Sequence, residues 1–285
     1  MKLFIILGNQ LFSPKYLSDY KDHTFFMAED YGLCTFEKHH KLKILLFLIM
    51  KKVILGATGS IGSSLAKKLV DSGEQVHLVG RDENSLSELA KNLNSTFTVC
   101  DVLEENFSEK ILNDLKDEPI NGLAFCVGSI DLKPLKLTKK SDFMQSFNLN
   151  LISATEVIKT LADNLKKNKG SVVLFSTVAV KQGFPNHAIV SSAKGAIEGL
   201  TLALAAEFAP NVRVNCIAPS LTNSKISNFL LKNEKVAEGI AKMHPMKRIG
   251  EGEDSASVAK FLLTDESSWI TGQILGVDGG RSSVA

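Results

Sequence analysis

The stretch "KKVILGATGSIGSSLAKKLV", residues 51–70, decides the fold. An apolar run ending at Leu55 reads as a strand, a glycine-rich turn follows, and "IGSSLAKKLV" has the patterning of an amphipathic helix. Glycines fall at 56, 59 and 62. Glycine at such positions permits a tight turn, lets backbone approach a pyrophosphate, and allows a helix to pack closely on a strand. The phosphates would then meet backbone N–H groups at the positive end of the helix. A glycine pattern alone marks only a turn, but its place between a strand and a helix makes this one a nucleotide-binding turn. The expected cofactor contacts here are Gly56, Thr58, Gly59, Ser60, Ile61 and Gly62.

Outward from this turn, short β-branched runs alternate with amphipathic segments, the signature of a parallel sheet with helices on both faces. Strands are expected near 52–55, 75–80, 96–100, 121–127, 171–176, 212–218 and 273–278. The fold class is therefore α/β, a doubly wound parallel sheet of Rossmann type with about seven strands. No internal repeat or low-complexity linker interrupts it.

Composition narrows the function. The chain has 285 residues, 44% of them apolar, with a formal net charge of +2. That balance fits a globular protein and gives no reason to expect nucleic acid or an anionic membrane as partner. The apolar runs "LFIIL" (3–7) and "ILLFLIM" (44–50) are far short of the ~20 residues that span a bilayer, so neither is expected to cross a membrane. Cys34, Cys100, Cys126 and Cys216 form no C-x-x-C pair, so no metal site is expected and a reduced, cytoplasmic setting fits best.

The second strand ends in "VHLVGRDENSL", where Gly80 is followed by Arg81. An NAD-selective site usually carries an acidic side chain there to bind the ribose 2′-hydroxyl. Arginine instead suits a 2′-phosphate through a charge-assisted pair, so NADP(H) is preferred over NAD(H). An arginine merely exposed at a turn is the alternative. Asp82 is expected to cap the following helix.

Residues 51–285 resemble the short-chain dehydrogenase/reductase family. The resemblance runs in order through the glycine turn, "CDV" (100–102), "CVG" (126–128), Asn150, "SVVLFST" (171–177), Lys194, "RVNCIAPS" (213–220) and "WITGQILGVDGG" (269–280). It implies that Asp101 and Val102 flank the adenine, and that Cys126, Val127 and Gly128 pass along the ribose. Pro219 and the loop through Thr222 would hold the nicotinamide amide, and Lys194 would bind the nicotinamide ribose. The family's catalytic serine, tyrosine, lysine and asparagine fall on Thr177, Val190, Lys194 and Asn150. The last strand implies a homodimer or homotetramer.

Four positions depart from the family pattern. Its paired asparagines are Phe125 and Cys126, the middle glycine of its turn is Ser60, and its tyrosine is Val190. No register slip rescues the tyrosine, because Tyr16, Tyr20 and Tyr31 are the only tyrosines and all precede residue 51. Valine has no exchangeable proton. The spacing of His187, Val190 or Ser191, and Lys194 puts them on one helix face if the helix extends back to 187, so His187 is the candidate replacement acid, with Thr177 polarising the substrate oxygen. His187 at the start of the helix and facing solvent is the other reading. Three functions follow: an NADP(H)-linked oxidoreductase for a small carbonyl or alcohol, a non-catalytic NADP(H)-binding protein such as a redox sensor or assembly subunit, or a nicotinamide-assisted lyase or epimerase. Substrate contacts are expected near 130–137, 178–186 and 221–245, with Phe184, Ile226, Phe229 and Leu230 as apolar lining, and 234–263 as a lid followed by a helix.

Residues 1–50 read as a separate N-terminal extension: a strand "KLFIILG", a polar turn, a strand "HTFFMAE" and a helix "FEKHHKLKILLFLIM". Through "FIILGNQL", "FFMAED" and "KHHKLKILLFLIMK" this piece resembles the opening of the iron–sulfur bacterial cryptochrome/photolyase family. That family binds its flavin and cluster in later domains, so the fragment implies no photochemistry.

Overall fold

Strands buried on both faces must be covered by helices on both sides, and the sequence supplies them alternately. The computed structural model describes residues 5–7, 10–12 and 50–284. The chain divides into two units, residues 1–46 and 47–285. In the first, β1 (Ile5–Leu7) pairs antiparallel with β2 (Gln10–Phe12), Ile5 opposite Phe12. The strand at 5–7 agrees with the expected one, while β2 lies where a polar turn was expected. The strand expected at 23–29 and the helix at 36–50 fall outside the described residues, Met50 apart.

The second unit is built on a seven-stranded parallel sheet in the order β5-β4-β3-β6-β7-β8-β9. Its strands are β3 (Lys51–Leu55), β4 (Gln75–Gly80), β5 (Thr96–Val99), β6 (Ile120–Phe125), β7 (Ser171–Phe175), β8 (Arg213–Pro219) and β9 (Ile274–Val277). All seven lie where the sequence placed them, within two residues at either end. The helices are α1 (Ser60–Asp71), α2 (Glu83–Leu93), α3 (Phe107–Leu115), α4 (Lys140–Phe147), α5 (Ser153–Lys167), α6 (Val178–Gln182), α7 (Ala188–Phe208), α8 (Asn228–Leu231), α9 (Glu234–Lys242) and α10 (Gly252–Leu263).

The chain builds outward from β3 to β5, then returns to lay β6 on the other side of β3. Such a reversal opens a crevice at the carboxyl ends of the strands, where open α/β sheets bind their ligands. One face of the sheet is packed by Phe107, Ile111, Leu161, Ile197 and Phe208 from α3, α5 and α7. The other is packed by Leu65, Leu69, Leu86, Ala256 and Leu262 from α1, α2 and α10. Helix α7 is long and apolar enough to cross a membrane by length and composition. In this fold it lies against the sheet, with Ile189, Ala193, Ile197 and Phe208 buried.

A directional polar network lies toward the amino ends of β3, β4 and β5. Lys51 donates to Thr96 Oγ1 at 2.9 Å, and His77, 1% exposed, bonds Thr96 Oγ1 through Nδ1 at 2.8 Å and Thr98 Oγ1 through Nε2 at 3.0 Å. Thr98 donates onward to Asp114 at 2.7 Å. The Lys51 ammonium can only donate and the Asp114 carboxylate only accept, so the neutral Nε2–H tautomer satisfies every member. Protonating Nδ1 would take away the acceptor to which the Thr96 hydroxyl donates. Burial, then the Lys51 charge, push His77 down to about 4 from its ordinary 6.5. The unfolded chain therefore takes up this proton at a higher pH than the folded one. The resulting stability is fully present above about pH 6.5 and is lost as pH falls toward 4.

We expect urea denaturation to report a loss of about 2 kcal/mol between pH 7.5 and pH 5 through this one group. In His77→Gln that part of the pH dependence should vanish. An equal loss in the variant would reject the assignment.

Candidate active site

The nucleotide turn closes as the sequence predicts. Gly56 has φ +73, and a Cβ there would lie 2.9 Å from the Cys126 carbonyl oxygen. A Cβ at Gly62 would lie 2.3 Å from the Gly56 oxygen, so α1 meets the turn backbone to backbone. Helix α1 starts at Ser60 behind Gly59, with no side-chain cap and no acidic residue in its first turn. Its positive end is left to an external anion, flanked by the partly exposed Thr58 and Ile61. This cradle fits a dinucleotide pyrophosphate.

At the adenosine end the structure brings two predicted residues together. The Arg81 guanidinium, with 75% of its side chain exposed, pairs with Asp101 Oδ2 at 3.2 Å, and Asp101 Oδ1 accepts from Leu103 N–H. Val102 is buried beside them. Asp82 caps α2 as expected, accepting from Ser85 N–H at 2.7 Å.

At the other end, three predicted residues converge. A Cβ on Gly128 would lie 3.1 Å from Lys194 Nζ and 3.2 Å from Asn150 Oδ1. Asn150 occupies a π-helical turn, Asn148–Ile152, between α4 and α5. It is fully buried, its Nδ2 donating to the Ser146 carbonyl at 2.8 Å, while its Oδ1 has no hydrogen-bond partner. An unsatisfied buried acceptor is costly unless a ligand or water completes it. Lys194 projects from α7 and is buried, without a hydrogen-bond or ion-pair partner among the described residues. Burial pushes its ammonium down to about 8, with the Cys216 and Cys126 sulfurs opposing. Burial also pushes those two thiols up to about 12, so at neutral pH they supply no countercharge. A lone cation and a lone acceptor side by side are the groups that would hold a ribose hydroxyl pair.

Thr177 caps α6, its Oγ1 accepting from Ala179 N–H at 3.3 Å, which leaves its hydroxyl proton free to be donated. Ser176 beside it points into the core and donates to Glu198 at 2.6 Å. Val190 lies one turn before Lys194 and is buried.

His187 is the cap of α7 rather than a helical residue, although its carbonyl accepts the first helical bond from Ser191 N–H at 2.8 Å. Its Nδ1 donates to the Pro185 carbonyl at 2.8 Å, leaving Nε2 as a free acceptor, and its ring packs 5.3 Å from Phe184. The imidazole lines a cavity of about 380 Å³ together with Phe184, Ser191, Ala179, Leu135 and Lys133. The cavity thus draws on two of the expected stretches, 130–137 and 178–186. Ile226 and Phe229, expected as lining, are exposed and do not border this cavity. Phe229 rides on the short helix α8 and Ile226 just precedes it.

The loop expected to hold the nicotinamide is fastened by Thr222 Oγ1 donating to the Ser220 carbonyl at 3.0 Å, just beyond Pro219, and by a bridge from Thr222 to Gly250. His244 was not anticipated: it is buried, bonds Ser220 Oγ through Nε2 at 2.7 Å and donates from Nδ1 to the Ile240 carbonyl. A lone histidine before a proline carries no periodic signal of such a clasp.

Comparison with known proteins gives a consistent result. Residues 56–282 match the family model described as enoyl-(acyl carrier protein) reductase. A chloroplastic tropinone reductase homologue of Arabidopsis thaliana is 32% identical over 243 residues, covering 82% of this chain and 76% of its own. L-xylulose reductase of Bos taurus is 29% identical, covering 81% and 95%. Among solved structures, a short-chain type dehydrogenase/reductase from Mycobacterium ulcerans superposes with TM-score 0.77 at 26% identity, over 82% of this chain and 90% of that one. ElxO with NADP bound superposes with TM-score 0.76 at 26% identity, over 82% and 99%.

The turn geometry separates two glycines. Gly59 has φ −75, and a Cβ there would lie 3.2 Å from the Gly56 carbonyl oxygen, a tight contact but far less severe than that at Gly62, so Gly59→Ala should lower NADPH affinity at a smaller loss of Tm than Gly62→Ala. Gly62→Ala forces a methyl into the Gly56 carbonyl and should cost about 1–3 kcal/mol of stability as well. Equal Tm values for the two variants, measured by calorimetry, would refute this reading.

Proposed function

The chain belongs to the short-chain dehydrogenase/reductase family of oxidoreductases, and on that premise we propose that it is an NADP(H)-dependent oxidoreductase for a small carbonyl or alcohol substrate, with a proton relay that works without tyrosine. The observation that carries the proposal is the meeting of Lys194 Nζ and Asn150 Oδ1 at Gly128, an ammonium with no ion-pair partner among the described residues beside a buried acceptor that no protein group satisfies. A fold with no ligand to hold gains nothing from burying them. When bound, the nicotinamide would supply or accept the hydride.

The protein's own residues divide the remaining work. The glycine turn and the α1 amino terminus hold pyrophosphate. Arg81 exchanges its exposed pair with Asp101 for the 2′-phosphate, which favours NADP(H). Cys126, Val127 and Gly128 leave room along the ribose, and Lys194 binds its hydroxyls. The loop from Pro219 to Thr222 holds the carboxamide. Thr177 donates its free hydroxyl proton to the substrate oxygen, and His187 Nε2, in its charged form, delivers the proton that tyrosine gives elsewhere in the family. The bound NADP of ElxO, and the NADPH of its tyrosine-to-phenylalanine variant, are further support for the cofactor. We extend the proposal to a reduced, cytoplasmic setting and a homodimer or homotetramer, for which Ile152, Leu202 and the almost fully exposed Trp269 provide apolar surface. Residues 1–50 form the separate extension, and 51–285 the cofactor-binding domain.

Val190 favours one other reading, a non-catalytic NADP(H)-binding protein, since it removes the proton donor and leaves the cofactor groups intact. NADPH fluorescence titration with a carbonyl panel separates the two. We expect tighter binding of NADPH than of NADH and oxidation by at least one carbonyl; tight binding with no oxidation would select the non-catalytic reading.

The relay has its own test. His187→Ala should lower kcat by about 10²–10⁴-fold at unchanged NADPH affinity. Val190→Tyr should raise the rate of that variant, and an unaltered kcat in His187→Ala would remove histidine from the mechanism.

A further inference from the structure

The cavity beside His187 has an aromatic wall, Phe184, and a cation from just outside the cavity lining rests on that ring. The Arg281 guanidinium lies 4.7 Å from the centroid of the Phe184 ring, and Phe184 lines the cavity. Arg281 follows β9 and Phe184 follows α6, so both come from the carboxyl edge of the sheet, the edge that carries Thr177 and Lys194.

What Arg281 lacks is an anion. Its hydrogen-bonding partner among the described residues is the Met243 sulfur at 3.7 Å, a weak acceptor, and it forms no ion pair there. The carboxylate nearest in sequence, Asp278, is committed to the backbone N–H groups of Gly280 and Ser282, each at 2.9 Å. Arg281 is half-buried, and desolvation lowers its pKa with no opposing carboxylate. The cavity lining contains no aspartate or glutamate. Its own cation, Lys133, is already paired with Asp142 at 2.9 Å. The rest of the wall is largely apolar, with Leu135, Ala179, Val180 and Phe184.

We propose that this cavity takes a substrate with a compact apolar body and a carboxylate, and that Arg281, held on the face of Phe184, is the group that recognises the carboxylate. The proposal rests on the oxidoreductase reading above and narrows its substrate to an oxo or hydroxy acid. Guanidinium and carboxylate match as planar, bidentate partners, and stacking on an aromatic ring fixes the guanidinium before the ligand arrives.

The test compares phenylglyoxylate with its methyl ester, which keeps the ring and the ketone but loses the charge. Each is titrated calorimetrically into the full chain in the presence of NADP⁺. The acid should bind at least about tenfold tighter than the ester. The ratio should fall to near one in Arg281→Met, which preserves an apolar stack on Phe184, and should survive in part in Arg281→Lys. Equal binding of acid and ester by the unaltered chain, including no binding of either, overturns the proposal. So does an undiminished ratio in Arg281→Met at unchanged NADP⁺ affinity. NADPH oxidation is read separately. Acid bound through Arg281 but never reduced upholds the anion site and rejects the oxidoreductase reading. Acid and ester reduced alike, with Arg281→Met unaffected, does the reverse.

Discussion

Everything at the carboxyl edge of the sheet depends on one crowded junction of backbone. The β3–α1 turn, the exit of β6 and the start of α10 meet where no Cβ fits. A side chain on Gly56 would strike the Cys126 carbonyl, one on Gly62 the Gly56 carbonyl, and one on Gly252 the Ser60 carbonyl at 2.3 Å. This close approach aims the amino end of α1 into the crevice between β3 and β6. It also fixes the path of Val127 and Gly128, and through them the floor on which Asn150 and Lys194 meet. A neighbouring strand delivers Thr177 to the same edge, and the loop after it delivers Phe184 and His187.

Much of this was legible because it is periodic. Each of the seven strands is a short apolar run bounded by polar turns, and buried parallel strands leave that trace in sequence. The glycine turn was legible because a tight strand-to-helix crossing admits few other residues. What escaped has no period. The chain from Lys51 through Thr96, His77 and Thr98 to Asp114 joins residues up to 63 positions apart, and each alone reads as an ordinary polar residue of a strand end or helix. His244 and Arg281 escaped for the same reason: their partners Ser220 and Phe184 lie 24 and 97 positions away. Ile226 and Phe229 are a different case, since apolar character alone does not say what an exposed residue in or beside a short helix faces.

At the reacting end the site has two halves with different physical character. One is dry and cationic: Lys194, lowered toward 8 by burial and flanked by neutral thiols. The other is partly open: His187, free at Nε2, on a cavity rimmed by apolar side chains. Val190 stands between them in the sequence and contributes only volume. Under the proposed function the cofactor half, Lys194 and Asn150, needs no polar group from Val190.

The glycine junction bears on how such a chain changes over generations. Because the fold itself needs Gly56, Gly62 and Gly252, selection for folding alone would preserve them, and their presence is a weak witness to continued use. Lys194 and Asn150 are the reverse. A buried lone ammonium and an unsatisfied amide oxygen burden the fold, and methionine or leucine at these positions would relieve it. A lineage that stopped binding nucleotide would drift there first, so the record of whether this protein still works is written in the two residues its stability would most readily give up.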